Sequence, residues 1–153
     1  MKYSIDTSAI LDGWRRYYPP DRFPSVWRNI EDLIASRNLC GTEEVLIELK
    51  KKDDDVYKWA RSQPGLFLAI DELTQKAVAK ILSDYPRLVD ARKNRSTADP
   101  FVIAVAQVKD LTVVTGEIAS NNLRKPKIPD ICSAMGIKHV RLLELFGLEG
   151  WRF

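Results

Sequence analysis

The sequence predicts an α/β fold of three layers, α/β/α, around a central and mostly parallel sheet. Three observations lead there. Short strand-like runs at 2–5, 39–40, 66–70, 111–115 and 137–140 alternate with segments of helical periodicity, and such alternation marks βαβ units. Phe101 to Val108 is apolar on nearly every side, so it reads as a helix enclosed by the body of the molecule. The length of 153 residues with 45% hydrophobic content suits one domain, 1–153, able to bury about 70% of its unfolded surface.

The elements follow in order. Lys2 to Ile5 is a β-type run that stops on Asp6, and Thr7 and Ser8 can cap the helix begun by Ala9-Ile10-Leu11. Tyr17 to Pro24 holds three prolines and is a loop. Ser25 is placed to cap a helix over 26–37 with Val26, Trp27, Ile30, Leu33 and Ile34 on one face. Leu39-Cys40 is a short strand, and Thr42 opens a helix that ends in Lys50-Lys51-Lys52, where cations suit the negative end of the helix dipole. Asp53 to Asp55 start the next helix, which Pro64-Gly65 breaks. Leu66 to Ile70 is a strand, and a helix over 72–84 stops at Pro86 with a short helical piece after it. A polar loop, 92–99, leads to Pro100 at a helix N1 position. Leu111 to Thr115 is the clearest strand. A loop, a short helix from Pro129, a strand at 137–140 and a last helix over 141–148 complete the chain.

Composition narrows the chemistry. There are 24 Lys and Arg against 21 Asp and Glu, a balance that permits a nucleic-acid partner without requiring one. The single histidine, His139, removes multi-His zinc sites and reads as an edge-strand residue. Cys40 and Cys132 form no CxxC and read as buried reduced thiols. No signal peptide is visible and no run approaches the roughly 20 apolar residues that span a bilayer. The expectation is a soluble, cytoplasmic protein without membrane contact.

In open parallel sheets ligands bind beyond the carboxyl ends of the strands, where strand order reverses. Asp6 ends the first strand, and Glu117 follows the Val113-Val114-Thr115 strand after one glycine. Asp99 precedes the buried helix, and Glu48 lies on the helix begun at Thr42. Each has an alternative: Asp99 as an N-cap, Glu48 as a surface residue, Glu117 as a turn residue. Asp6, at the end of a buried strand, has little obvious structural purpose.

Taken together, Ile5-Asp6-Thr7-Ser8-Ala9-Ile10-Leu11, Val45-Leu46-Ile47-Glu48-Leu49, Ala98-Asp99-Pro100-Phe101-Val102-Ile103-Ala104 and Val113-Val114-Thr115-Gly116-Glu117 resemble the four acidic motifs of PIN domains. They are most similar to those of VapC-type toxin nucleases, and they span nearly the whole chain. Lys127-Ile128-Pro129-Asp130-Ile131-Cys132 is similar to a segment of an uncharacterised subgroup of that superfamily.

The resemblance implies a metal-dependent ribonuclease in which Asp6, Glu48, Asp99 and Glu117 hold Mg²⁺ or Mn²⁺ and are catalytic. Ser8 and Thr115 would support them. Glu117 departs from the more frequent Asp, and Asp130 could share or replace its role. The resemblance further implies an RNA substrate, a cognate antitoxin protein and a homodimer. The chemistry is consistent in itself: hard cations prefer carboxylate oxygens, and clustered acids repel one another until a cation offsets their charge. A polyanionic substrate calls for bordering bases, and Arg92, Lys93 and Arg95 before Asp99, with Arg124 and Lys125 after Glu117, are the candidates. Arg15, Arg16 and Arg22 are further cations, while Tyr17, Tyr18 and Trp27 could stack bases or fill the core. The alternative is a catalytically silent module of the same fold that binds RNA or protein. A phosphoryl-transfer domain using Asp6 fits less well: a dehalogenase type would want a second Asp where Ser8 stands, and a receiver type would want further acids near the chain start, for which Asp12 is a weak substitute.

Overall fold

Strand β1 (Tyr3–Ile5) lies in the middle of a five-stranded sheet, and its neighbours decide where a ligand could sit. The computed structural model describes residues 1–89 and 97–153. In chain order the elements are β1, α1 (Thr7–Asp12), a π-helical turn (Gly13–Tyr17), α2 (Pro24–Ala35), β2 (Leu39–Thr42), α3 (Glu43–Lys52), α4 (Asp54–Arg61), β3 (Phe67–Leu68), α5 (Glu72–Asp84), α6 (Asp99–Lys109), β4 (Thr112–Val114), α7 (Ile128–Met135), β5 (His139–Val140) and α8 (Leu142–Leu148). The strand order is β3-β2-β1-β4-β5 and every pair is parallel. Register pairs Tyr3 with Leu39 on one side and with Thr112 on the other. The chain winds outward from β1 to β3, then returns to β1's other side for β4 and β5. The reversal falls between β1 and β4, whose carboxyl ends therefore border a cleft.

Helices flank this sheet. Helix α6 packs against β1, β2, β4 and α5, burying Val102 to Ala106, as its all-round apolar sequence requires. The Ser4 hydroxyl donates to the Val102 carbonyl at 3.0 Å, tying β1 to α6. Elsewhere Trp27 is 5% exposed and meets Trp14 and Trp59 with ring centroids 4.9 Å away in both cases, so it belongs to the core. Cys40 and Cys132 are buried and free, and burial pushes their thiols up to about 11 and about 12. Trp151 and Phe153 lie on Phe146 at 5.5 and 5.4 Å, docking the chain end. No helix among the described residues is long and apolar enough to cross a membrane.

Several local expectations are corrected. Helix α2 starts at Pro24 with Phe23 as its cap, because proline, with its φ preset near the helical value and no N–H to satisfy, suits the first helical position and takes Ser25 into the helix. Residues 86–88 after α5 form a turn and bend, with no helix up to residue 89. Asp99 is the first residue of α6, and Ala98, not Asp99, holds the cap position. Asp6, in contrast, does have a structural purpose: it is the N-cap of α1 and accepts from the Ser8 N–H at 3.3 Å.

Candidate metal centre

The carboxyl ends of β1 and β4 deliver Asp6 and the Thr115-Gly116-Glu117 segment to one edge, and the first turn of α6 delivers Asp99. One carboxylate oxygen from each of Asp6, Asp99 and Glu117 lies within 4.8 Å of the other two. Asp6 is 1% exposed and Asp99 5%. Burial raises the Asp6 carboxyl from 3.8 to about 7; the adjacent Glu117 and Glu48 add to the rise, while hydrogen bonds from Ser8 and Thr115 oppose it.

The two hydroxyls that the resemblance implied as supports both converge on Asp6 Oδ2. Ser8 Oγ donates to it, and Thr115 Oγ1 donates to it at 3.2 Å. The Gly116 N–H in turn donates to Ser8 Oγ at 2.9 Å, and the Glu117 N–H to Thr115 Oγ1 at 3.1 Å. The β4 end is thereby stitched to the start of α1. Asp6 Oδ1 is buried with no hydrogen-bond partner. A buried carboxylate oxygen left unpaired costs free energy, and a cation among three carboxylates would offset that cost.

Glu48 stands just outside this group. It is 7% exposed, and its Oε2 accepts from Thr7 Oγ1 at 2.6 Å while Oε1 accepts from the Ala98 N–H at 3.1 Å. Those donors belong to the residues immediately after Asp6 and immediately before Asp99. Glu48 thus clamps the two backbone segments that carry the acids, and among the described residues the group of acids close enough to share one ion does not include it. Sequence pattern does not disclose Thr7 as the partner of Glu48. The only local signal is a hydroxyl beside the first acid.

Glu117 Oε2 accepts from the Ile128 N–H at 2.8 Å, at the start of α7. Asp130 is elsewhere engaged. It accepts from the Ser120 N–H (3.0 Å), Ser120 Oγ (2.7 Å), Asn121 N–H (2.8 Å) and Lys127 N–H (2.7 Å). Although burial acts the other way, these bonds hold its carboxyl below the ordinary range. Asp130 organises the loop between Glu117 and α7 and is not one of the three clustered acids.

The cation candidates divide. Arg124 and Lys125 are exposed on that same loop. Arg92, Lys93 and Arg95 lie outside the described residues. Arg15 is bound to Asp53 at 2.8 Å and to the Lys52 carbonyl at 2.7 Å, which joins the π-helical turn to the α3–α4 junction. His139 sits on the edge strand β5, 3.3 Å from Ser133 Oγ.

The five-stranded parallel sheet ordered 3-2-1-4-5 and flanked by helices matches a PIN-like fold. The fold is shared with a chain in the crystal structure of VapBC2 from Rickettsia felis bound to a DNA fragment from their promoter. The two are 14% identical, with a TM-score of 0.54 over 92% of this chain and 98% of that one. The chain itself belongs to the family described as "Domain of unknown function (DUF4411)", which matches residues 3–153. Comparison with curated proteins finds no match.

Proposed function

We propose that the protein is a metal-dependent endoribonuclease whose ion is held by Asp6, Asp99 and Glu117. The observation that carries this reading is the convergence of three carboxylates within 4.8 Å at the sheet's reversal point, one of them with a buried unpaired oxygen. The all-oxygen donor set suits Mg²⁺ or Mn²⁺. What such a cation supplies when bound is Lewis acidity: easier deprotonation of water and compensation of charge on the phosphoryl oxygens.

The chain's own residues prepare that chemistry. Ser8 and Thr115 hold Asp6 Oδ2, which leaves Oδ1 for the ion. The Ile128 N–H orients Glu117, and Glu48 fixes the spacing between the segments bearing Asp6 and Asp99. Arg124 and Lys125 provide positive charge for the phosphate backbone, and Arg92, Lys93 and Arg95 are assigned the same role by sequence. The resemblance to PIN-domain nucleases implies hydrolysis that leaves a 5′-phosphate end. The neighbour's VapBC2 complex supports a further reading: this chain is the toxin of a type II toxin–antitoxin pair. In that reading it is a cytoplasmic homodimer silenced by a cognate antitoxin.

The test is cleavage of single-stranded RNA with Mg²⁺, Mn²⁺ or EDTA by the wild type and by Asp6→Asn and Asp99→Asn. Metal-dependent cleavage lost in both variants is the expected result. Intact RNA under every metal, with RNA affinity retained, would instead identify a silent binding module.

A further inference from the structure

Beside the acid cluster lies a cavity of about 270 Å³ that the proposed chemistry does not use. It is slightly smaller than the roughly 300 Å³ at which sites for whole small molecules begin, a size that suits one planar ring system. One side is aromatic. Tyr17 is 52% exposed, and its ring centroid is 6.3 Å from that of Tyr18. Tyr18 is braced by Phe23 at 5.7 Å and Phe146 at 5.0 Å, and its carbonyl accepts from Trp27 Nε1 at 2.7 Å. Leu142 lines another side. The π-helical turn carries the chain from Asp12 to Tyr17, closed by a 2.8 Å bond from the Tyr18 N–H to the Gly13 carbonyl. Such wide turns are frequent at functional sites.

Two opposite charges line the same cavity, Asp12 and Arg141, and among the described residues neither forms an ion pair. The Arg141 charge bears on the Tyr18 hydroxyl, partly opposing the rise that burial gives it. Glu144 also borders the cavity, with its carboxylate accepting from the Arg141 backbone N–H at 2.7 Å.

The cavity and the acid cluster share a wall. Gly116 lines the cavity and Glu117 follows it. A Cβ at Gly116 would come within 2.6 Å of Asp12 Oδ2 and 3.1 Å of the Ser8 carbonyl, so the absence of a side chain lets the two regions lie back to back. An aromatic face stacks an unpaired base, an arginine fork suits two adjacent acceptors, and a carboxylate suits two adjacent donors. Among the RNA bases guanine offers both, O6 with N7 on one edge and N1–H with N2–H on the next.

We propose that this cavity is a base pocket selecting guanine, with Arg141 reading O6 and N7, Asp12 accepting from N1–H and N2–H, and Tyr17 stacking on the ring. The placement of that guanine next to the cleaved phosphate rests on the nuclease reading; the base selectivity does not.

The test uses the full chain in EDTA with four labelled pentanucleotides, r(AAGAA), r(AAAAA), r(AACAA) and r(AAUAA), read by fluorescence anisotropy. The G oligomer binds tighter by about 10- to 100-fold, the range expected of a good bidentate contact. Arg141→Met and Asp12→Asn each bring it towards the A oligomer, and Tyr17→Ala weakens all four alike, with circular dichroism checking the fold. Equal affinity for the four, binding of none, or a G preference that survives both charge variants overturns the proposal. Mapping cuts in Mn²⁺ separates the two readings. G-selective binding without cleavage keeps the pocket and sinks the nuclease, whereas cleavage without G selectivity does the reverse.

Discussion

Replacing Asp6 with Asn should make the metal-free protein more stable, and the gain should depend on pH. In the folded chain the Asp6 carboxyl titrates near 7, against 3.8 ordinarily, chiefly because it is buried, with Glu117 and Glu48 nearby. Between those values the folded state holds a proton that the unfolded state has lost. Stability contributed by the raised pKa is therefore complete below pH 3.8 and is lost as pH rises through 7. At about 1.4 kcal/mol per pH unit the gap corresponds to about 4 kcal/mol. Asn cannot ionise, and its side-chain oxygen can still accept from Ser8 and Thr115. Urea denaturation of both proteins in EDTA from pH 4 to 8 measures the effect. The variant-minus-wild-type difference cancels the other titrating groups, and it should grow with pH to a few kcal/mol. A difference that is flat or shrinks as pH rises would refute the reasoning. Added Mg²⁺ should recover stability at pH 8 in the wild type alone, by about 2.7 kcal/mol at a hundredfold excess over Kd.

Other outcomes follow from the same geometry. Glu48→Gln should weaken Mn²⁺ binding by about tenfold, as removal of an orienting partner does, while Asp99→Asn should abolish it; titration calorimetry distinguishes the two. Asp130→Ala should cost about 1–2 kcal/mol by urea denaturation, because the part-buried donors of Ser120, Asn121 and Lys127 lose their acceptor. The same hydrogen bonds hold the Asp130 carboxyl low against the opposing effect of burial, so their added strength with the ionised form is present at neutral pH and lost as pH falls through the folded value. Gly116→Ala should destabilise by about 1–3 kcal/mol, since its Cβ meets a backbone carbonyl at 3.1 Å as well as a movable carboxylate. Arg124→Ala with Lys125→Ala should make the salt dependence of RNA binding shallower, by about 0.7 in log–log slope for each phosphate no longer neutralised.

The alternation of strand runs with helices, the buried character of α6 and the break points at Pro64-Gly65 and Gly116 are local, and the sequence alone determined them. Side-chain period and turn chemistry act over a few residues and leave their mark there. The sequence also picked out Asp6, Asp99 and Glu117 as acids at the ends of buried elements, and Ser8 and Thr115 beside them. Only the tertiary structure decided that β1 and β4 are neighbours, because strand order is set by long-range packing of the helices and leaves no local trace. That pairing brings three acids within one ion's reach while Glu48, alike by sequence, is turned to clamp Thr7 and Ala98. The fold also engages Asp130 with donors of its own loop, and it sets Asp12, from the end of α1, and Arg141, before α8, on the lining of one cavity. Those two residues are far apart in the chain and carry no shared motif, so only folding could show that they line one cavity.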